Sequence, residues 1–233
     1  MTGKLYGVGV GPGDPELLTL KAVRIIENCQ VIAVPGEIPE ASVAWKIIEK
    51  SGIRGLKEKE HIGISMPMTK DGKKLSDAHK KGISDLKTLL NQGKDVAFLT
   101  LGDPVIYSTY MYLHHEVEKS GYQAEIINGI PSFCAAAAKV GIELGKGAEQ
   151  IHVIPASYQM EAALELPGTK ILMKSGREYP KVKRMLETAE DVRRKHIVMI
   201  ENCGMGSEKI YDGIANLPEE AGYYTLIVIK DEV

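Results

Sequence analysis

Residues 5–19 read Leu-Tyr-Gly-Val-Gly-Val-Gly-Pro-Gly-Asp-Pro-Glu-Leu-Leu-Thr. A short apolar run passes into a turn too rich in glycine and proline for strand or helix, and then into a helix start. That is the opening of a β-α unit. Gly7, Gly9, Gly11 and Gly13 alternate with other residues. Without Cβ atoms such a loop lets a ligand approach the backbone. The spacing fits neither common nucleotide loop. A G-x-G-x-x-G beginning at Gly7 needs glycine at 12, where Pro12 stands, and one beginning at Gly9 needs it at 14, where Asp14 stands. No Gly-Lys pair is followed by Ser or Thr, so the phosphate-cradling P-loop is missing too. A bare strand-to-helix turn is the alternative reading. It requires fewer glycines and prolines than residues 7–15 contain, so a ligand-facing wall is expected.

Apolar runs then alternate with helical patterns. Residues 5–10, 30–34, 61–66 and 95–101 read as strands, with helices over 16–28, 41–50 and 73–91 between them. Such alternation predicts an open, mostly parallel sheet. Gly102-Asp103-Pro104 follows the fourth run. Asp103 suits an N-cap and Pro104 a first helical residue. The helix so begun should reach Lys119, with Ile106, Tyr110, Leu113 and Val117 on one face. Further strands are expected over 122–127, 150–155, 170–174, 196–201 and 223–230, with helices after Ser132 and over 160–166 and 180–189. Strand direction is open in this half, so a mixed sheet is allowed.

With 233 residues, 44% of them hydrophobic and 26% charged, the chain can bury a core in each of two domains. A formal net charge of −2 argues against a nucleic-acid surface. No apolar run reaches the ~18 residues of a membrane span, so neither nucleic acid nor membrane is an expected partner. Met1-Thr2-Gly3-Lys4 leads straight into the first strand, without a signal-peptide pattern. Cys29, Cys134 and Cys203 lie far apart with no C-x-x-C. Free thiols in a cytoplasmic protein are the expectation. The histidines form no H-E-x-x-H, and adjacent His114 and His115 point to different sides of a helix, so no metal is expected. The G-x-S-x-G of many hydrolases does not occur.

Two further turns invite a ligand. Gly102-Asp103-Pro104 ends a strand, where open α/β sheets bind ligands, and the Asp103 carboxylate suits a cationic one. A capped helix without ligand is the plainer alternative. In Gly129-Ile130-Pro131-Ser132-Phe133 and the alanines at 135–138, small side chains leave room for a flat ligand. A tightly packed alanine helix explains them equally well.

Together the three loops resemble the tetrapyrrole methylase family. Its opening pattern V-G-x-G-P-G-D-P-x-L-L-T stands here as Val8 to Thr19, its G-D-P as Gly102 to Pro104, and its small-residue turn as Gly129 to Phe133. Within the family, the segments beginning at Gly102 and Gly129 are similar to those of the precorrin-2 and cobalt-factor II C20-methyltransferases. The resemblance implies an α/β protein of two domains with a cleft between them, normally a homodimer. Residues 1–116 would form the mostly parallel, tetrapyrrole-side domain, and residues 117–233 the mixed-sheet, donor-side domain. It further implies S-adenosylmethionine as methyl donor, contacted by Pro12, Gly102, Asp103, Pro104, Ile106, Ser132, Phe133, Met173 and Cys203. A reduced tetrapyrrole of cobalamin biosynthesis is the implied substrate, bordered by Gly11, Gly13 and Asp14. The implied activity is methylation at C20.

Methyl transfer from a sulfonium chiefly requires alignment of donor and acceptor. An electron-rich bridge carbon attacks without a strong base, so no conventional triad is expected. Asp14 is the one candidate base. Lys174, Arg177, Lys181, Lys183 and Arg184 form the densest basic cluster. Lys174 and Arg177 are the candidates for binding substrate carboxylates, against the alternative of a solvated helix face. Two other classes compete. One is a non-catalytic tetrapyrrole or nucleotide carrier. The other is a dinucleotide oxidoreductase, for which only Glu37 offers an acidic residue near the required place.

Overall fold

The first apolar run folds as β1 (Leu5–Gly9), followed by a single 3₁₀ turn and α1 (Leu20–Asn28), whose N-cap Thr19 accepts from Ala22 N. The chain continues through β2 (Val31–Pro35), α2 (Val43–Glu49), β3 (Glu60–Ile64), α3 (Gly72–Asn91), β4 (Val96–Thr100), α4 (Tyr110–Lys119) and β5 (Ala124–Ile127). A computed structural model describes residues 1–67, 69, 71–156, 160–189 and 195–231, the side chains of 160, 161 and 177 excepted. The chain divides into two compact units, Met1–Pro131 and Ser132–Val233.

In the first unit the five strands pair in the order β3-β2-β4-β1-β5, every pair parallel. Side chains alternate between faces along each strand, and the residues follow that period. Val8, Ile32, Val34, Ala97 and Leu99 pack with Ala22 and Ile26 of α1 and with Ile47 and Ile48 of α2. Val31, Ala33, Val96 and Phe98 pack on the opposite face with Leu86 and Leu90 of α3 and with Tyr110, Leu113 and Val117 of α4. With both faces covered, β2 and β4 are apolar almost throughout, as buried parallel strands are. The boundary expected at 116/117 falls inside α4, whose buried residues belong to the first unit's core.

Tyr110 is fully buried against Phe98, and its hydroxyl lies 2.9 Å from His114 Nδ1. His114 Nε2 faces Glu118 at 3.4 Å. Burial holds the His114 imidazole below its ordinary value of 6.5, outweighing the attraction of Glu118. With the folded-state value lowered, the unfolded chain takes up the proton first. Stability from this group is complete above pH 6.5 and is lost as pH falls from there toward the folded-state value. Urea midpoints measured from pH 8 to pH 5 should therefore fall less for His114→Gln than for the wild type. An equal fall removes His114 from the account.

The second unit holds α5 (Ser132–Val140), β6 (Ile151–Pro155), α6 (Met160–Leu164), β7 (Thr169–Met173), α7 (Tyr179–Thr188), β8 (Lys195–Glu201), β9 (Lys209–Asp212) and β10 (Thr225–Asp231). Strand order is β6-β7-β10-β8-β9. Only β6 and β7 run parallel, so the sheet is mixed as expected. Leu172, Ile197, Met199, Ile227 and Ile229 pack against Val182 and Leu186 of α7. Ile171, Val198, Ile200, Leu226 and Val228 pack against Ala136 of α5 on the other face. β9, an exposed edge strand reading Lys-Ile-Tyr-Asp, carries no strand signal in the sequence, because it is short and only half apolar.

Candidate active site

The wiring of the first unit selects one end of its sheet. β1 continues through α1 to β2, beyond β4; β4 continues through α4 to β5, beyond β1. Two adjacent strands thus send the chain in opposite directions. The carboxyl ends of two such strands are the usual ligand position in open α/β sheets.

The loops leaving those ends are the ones singled out by composition. Gly11 and Gly102 form an isolated antiparallel bridge, with Gly11 N donating to Gly102 O at 3.2 Å and Gly102 N to Gly11 O at 2.8 Å. Both glycines are left-handed, at φ 74° and 71°, which side chains with a Cβ resist. The loop after β5 comes in from the other side of β1. A Cβ on Gly129 would stand 2.1 Å from Gly102 O and 2.7 Å from the Gly9 carbonyl carbon, so three backbones meet in direct contact. Tyr107 carries a positive φ of 51° in the same region. Strain of this kind concentrates at functional sites.

Asp103 sits at the centre of this contact and is 5% exposed. Its Oδ1 accepts from Val105 N at 2.8 Å, and its Oδ2 accepts from Gly129 N at 3.0 Å and from Asn128 Nδ2 at 3.1 Å. The expected helix from Pro104 therefore does not form. The carboxylate closes a local turn over Val105 and reaches across to the next loop, Tyr107 leaves the right-handed region, and α4 starts only at Tyr110. Ile106 is half-buried in the loop rather than on the helix face with Tyr110, Leu113 and Val117. Pro104 is buried beside Asp103. Gly11, Pro12 and Gly13 are buried, and Asp14 is half-buried. The Asp14 carboxylate accepts from Glu16 N at 2.9 Å and caps the 3₁₀ turn Pro15–Leu17.

The remaining sequence-derived residues lie in the second unit. Ser132 opens α5. Phe133, Met173 and Cys203 are far apart in sequence, yet all three are half-buried at the rim of one apolar cluster built on Ile171, Val198 and Leu226. The sheet brings Met173 and Cys203 to that cluster. β10 pairs on one side with β7, Leu226 opposite Met173, and on the other with β8, Thr225 opposite Glu201. The ends of β7 and β8 therefore lie at the same end of the sheet, on either side of β10. The residues just past those ends, Lys174 and Asn202, are both left-handed, at φ 57° and 52°. Burial lowers the Lys174 amine below the ordinary lysine value. Next to it the Ser175 hydroxyl is buried with no hydrogen-bond partner among the described residues. Arg177 stands in the short turn Gly176–Glu178, and its side chain lies outside the described residues. Lys183 leaves the proposed basic cluster, because its ammonium is tied to Glu219 at 2.6 Å and faces Glu187 at 3.7 Å.

Sequence reasoning missed Asn128, whose side chain returns to Asp103. It also missed the Thr100–Ser108 hydroxyl pair at 2.9 Å that spans the loop after β4. Asn128-Gly129 reads as an ordinary turn, and nothing local signals a partner 25 residues away. Among the described residues no group of three His, Cys, Asp or Glu side chains suits a metal, and no helix is long and apolar enough to cross a membrane.

The chain is 32% identical over 234 residues to a probable cobalt-precorrin-2 C(20)-methyltransferase of Methanocaldococcus jannaschii, covering 97% of this chain and 96% of that protein. It is 30% identical to a precorrin-2 C(20)-methyltransferase of a Sinorhizobium species, with 97% and 95% covered. Among solved structures, a cobalt precorrin-4 methyltransferase superposes with a TM-score of 0.73 at 22% identity, over 97% of this chain and 94% of that one. A Thermus thermophilus uroporphyrin-III C-methyltransferase complexed with S-adenosylhomocysteine gives 0.73 at 18% identity, over 98% and 97%. These likenesses establish the fold. The family model for tetrapyrrole (corrin/porphyrin) methylases matches residues 4–217, so with these relatives spanning nearly its whole length the chain belongs to the tetrapyrrole methylase family.

Proposed function

We propose that this protein transfers a methyl group from S-adenosylmethionine to C20 of precorrin-2 or of its cobalt-bearing counterpart, in cobalamin biosynthesis. The observation that carries the reading is end-to-end similarity to relatives named for that reaction. The contact of Gly9, Gly102 and Gly129, too close to admit a Cβ, supports it by joining the three turns that carry the family's motifs.

The residues assigned to the donor carry chemistry that suits it. In the first unit Pro12, Gly102, Asp103, Pro104 and Ile106 would hold it. In the second, Phe133, Met173 and Cys203 offer apolar, polarisable surface to an adenine, with Ser132 beside them. When bound, the donor supplies an electrophilic methyl on a sulfonium. The chain's contribution is to fix the geometry, which for a bimolecular step is worth several kcal/mol of barrier. Buried loops tied to one another by backbone bonds suit that task better than mobile side chains. Gly11, Gly13 and Asp14 would border the macrocycle, with Asp14 the candidate to take up a proton. Lys174 and Arg177 would bind acetate or propionate groups. The family resemblance adds the expectation of a homodimer, which light scattering tests.

Incubation with labelled donor and either precorrin-2 or its cobalt complex should release S-adenosylhomocysteine and place the label at C20 by mass spectrometry and NMR. A label at another ring carbon would move the protein elsewhere in the family. Binding without release would make it a carrier. Calorimetry should show S-adenosylhomocysteine binding and no binding of NAD. Exchanging Lys174 and Arg177 for alanine should raise KM for the tetrapyrrole about tenfold and leave donor affinity unchanged. An unaltered KM rejects the carboxylate role.

A further inference from the structure

We infer that Asp103 is a positioning residue, whose carboxylate shapes the donor site by clasping the loop after β5 to the loop after β4 instead of serving as counter-ion to the sulfonium. The inference rests on the methyltransferase reading above and specifies how that site is held together.

An ionised carboxylate removed from water needs compensation by hydrogen bonds. Among the described residues that compensation comes from the protein's own loops. Oδ1 takes one backbone N–H, from Val105, two residues on. Oδ2 takes two donors, Gly129 N and Asn128 Nδ2, from the neighbouring loop. Hydrogen bonds to a charged acceptor are the stronger kind. These pull Gly129 onto Gly102 O and over Gly9, into a space that admits no side chain. On the far side, the Asn128 carbonyl accepts from the Thr19 hydroxyl at 3.4 Å, which links the start of α1 to the same clasp. Both oxygens are needed at once, and this explains a carboxylate rather than an amide. Asparagine has a single acceptor and would present an N–H either to Val105 N or to Gly129 N.

The two roles predict different selectivity. A counter-ion would favour the cationic donor over the neutral product. A clasp shapes the backbone cradle and serves both alike. Calorimetry of S-adenosylmethionine and S-adenosylhomocysteine against wild type, Asp103→Asn and Asn128→Ala separates them. Asp103→Asn should weaken both ligands by the same factor, about tenfold to a hundredfold. Asn128→Ala keeps the carboxylate and removes one of its donors. It should weaken both equally, by roughly threefold to tenfold. Donor KM should rise in each variant while tetrapyrrole KM stays constant. Selective loss of the sulfonium ligand in Asp103→Asn overturns the inference. So does wild-type affinity in Asn128→Ala, which carries the test alone if Asp103→Asn does not fold. Wild-type protein that binds neither ligand would bring down the methyltransferase reading itself, a result distinct from either of these.

Discussion

Gly129→Ala is expected to lower kcat/KM for methyl transfer by on the order of a hundredfold and to destabilise the first unit by about 3 kcal/mol. The added Cβ would meet Gly102 O at 2.1 Å, Gly9 C at 2.7 Å and Gly9 Cα at 2.8 Å. All three are backbone atoms of loops or strands that are themselves paired, so no flexible side chain can swing aside. Relief requires the loop after β5 to lift. Lifting it stretches the bond from Gly129 N to Asp103 and disturbs the Gly11–Gly102 bridge below. The donor's expected contacts at residues 102–106 move with them. Gly206→Ala is the control. A Cβ there meets nothing within 4 Å, and a surface change of that kind stays within about 0.5 kcal/mol. Thermal melts and donor calorimetry on both variants decide the matter. A Gly129→Ala protein with wild-type melting and wild-type donor affinity would show that the three loops are free to separate, against the packing described above.

Lys170→Met is expected to stabilise the protein by about 2 kcal/mol, raising Tm by about 4 to 8 °C. Lys170 is 0% exposed on β7, and its amine has no hydrogen-bond partner among the described residues. Its strand register sets it opposite Ile229, on the face that packs with Leu186. Burial, reinforced by the Lys195 cation nearby, pulls the amine down to about 8 from 10.5. Methionine keeps the length of the side chain and deletes the group that must be desolvated. A pH signature goes with this. Between pH 8 and 10.5 the unfolded chain binds the Lys170 proton and the folded chain does not, so stability rises with pH across that window; below pH 8 the penalty is complete. The wild type should therefore gain stability from pH 8 to pH 10 relative to Lys170→Met, and the two melting curves should converge. A lower Tm for Lys170→Met would mean that the amine has a favourable partner at the second unit's edge.

Much of the first unit was legible because its signals are local. Apolar runs of strand length, glycine just past them and helical periodicity between them placed β1, β2, β4 and α3 within a residue or two. Edge elements were harder, since β9 buries too little to carry an apolar pattern. The loop after β4 misled for a definite reason. Asp-Pro after a strand satisfies every local rule for a helix cap, but the Asp103 carboxylate finds charge-assisted bonds to Gly129 and Asn128, 26 and 25 residues away. Lys183 misled in the same way. It reads as part of a basic patch, and Glu219 claims it from 36 residues on.

Chain composition and short-range pattern alone determined the alternation of strands and helices and the three glycine-bearing turns. Each of these depends on backbone conformation and on periods of two or 3.6 residues, which neighbours in sequence dictate. The folded arrangement decided which turns touch, that Phe133, Met173 and Cys203 share one rim, and that Asp103 faces the protein's own amides. Those outcomes follow from strand order. Placing β1 between β4 and β5, and β10 between β7 and β8, brings distant segments within hydrogen-bond reach. Strand order is settled by how whole layers bury their faces, a long-range balance that no local stretch of residues encodes.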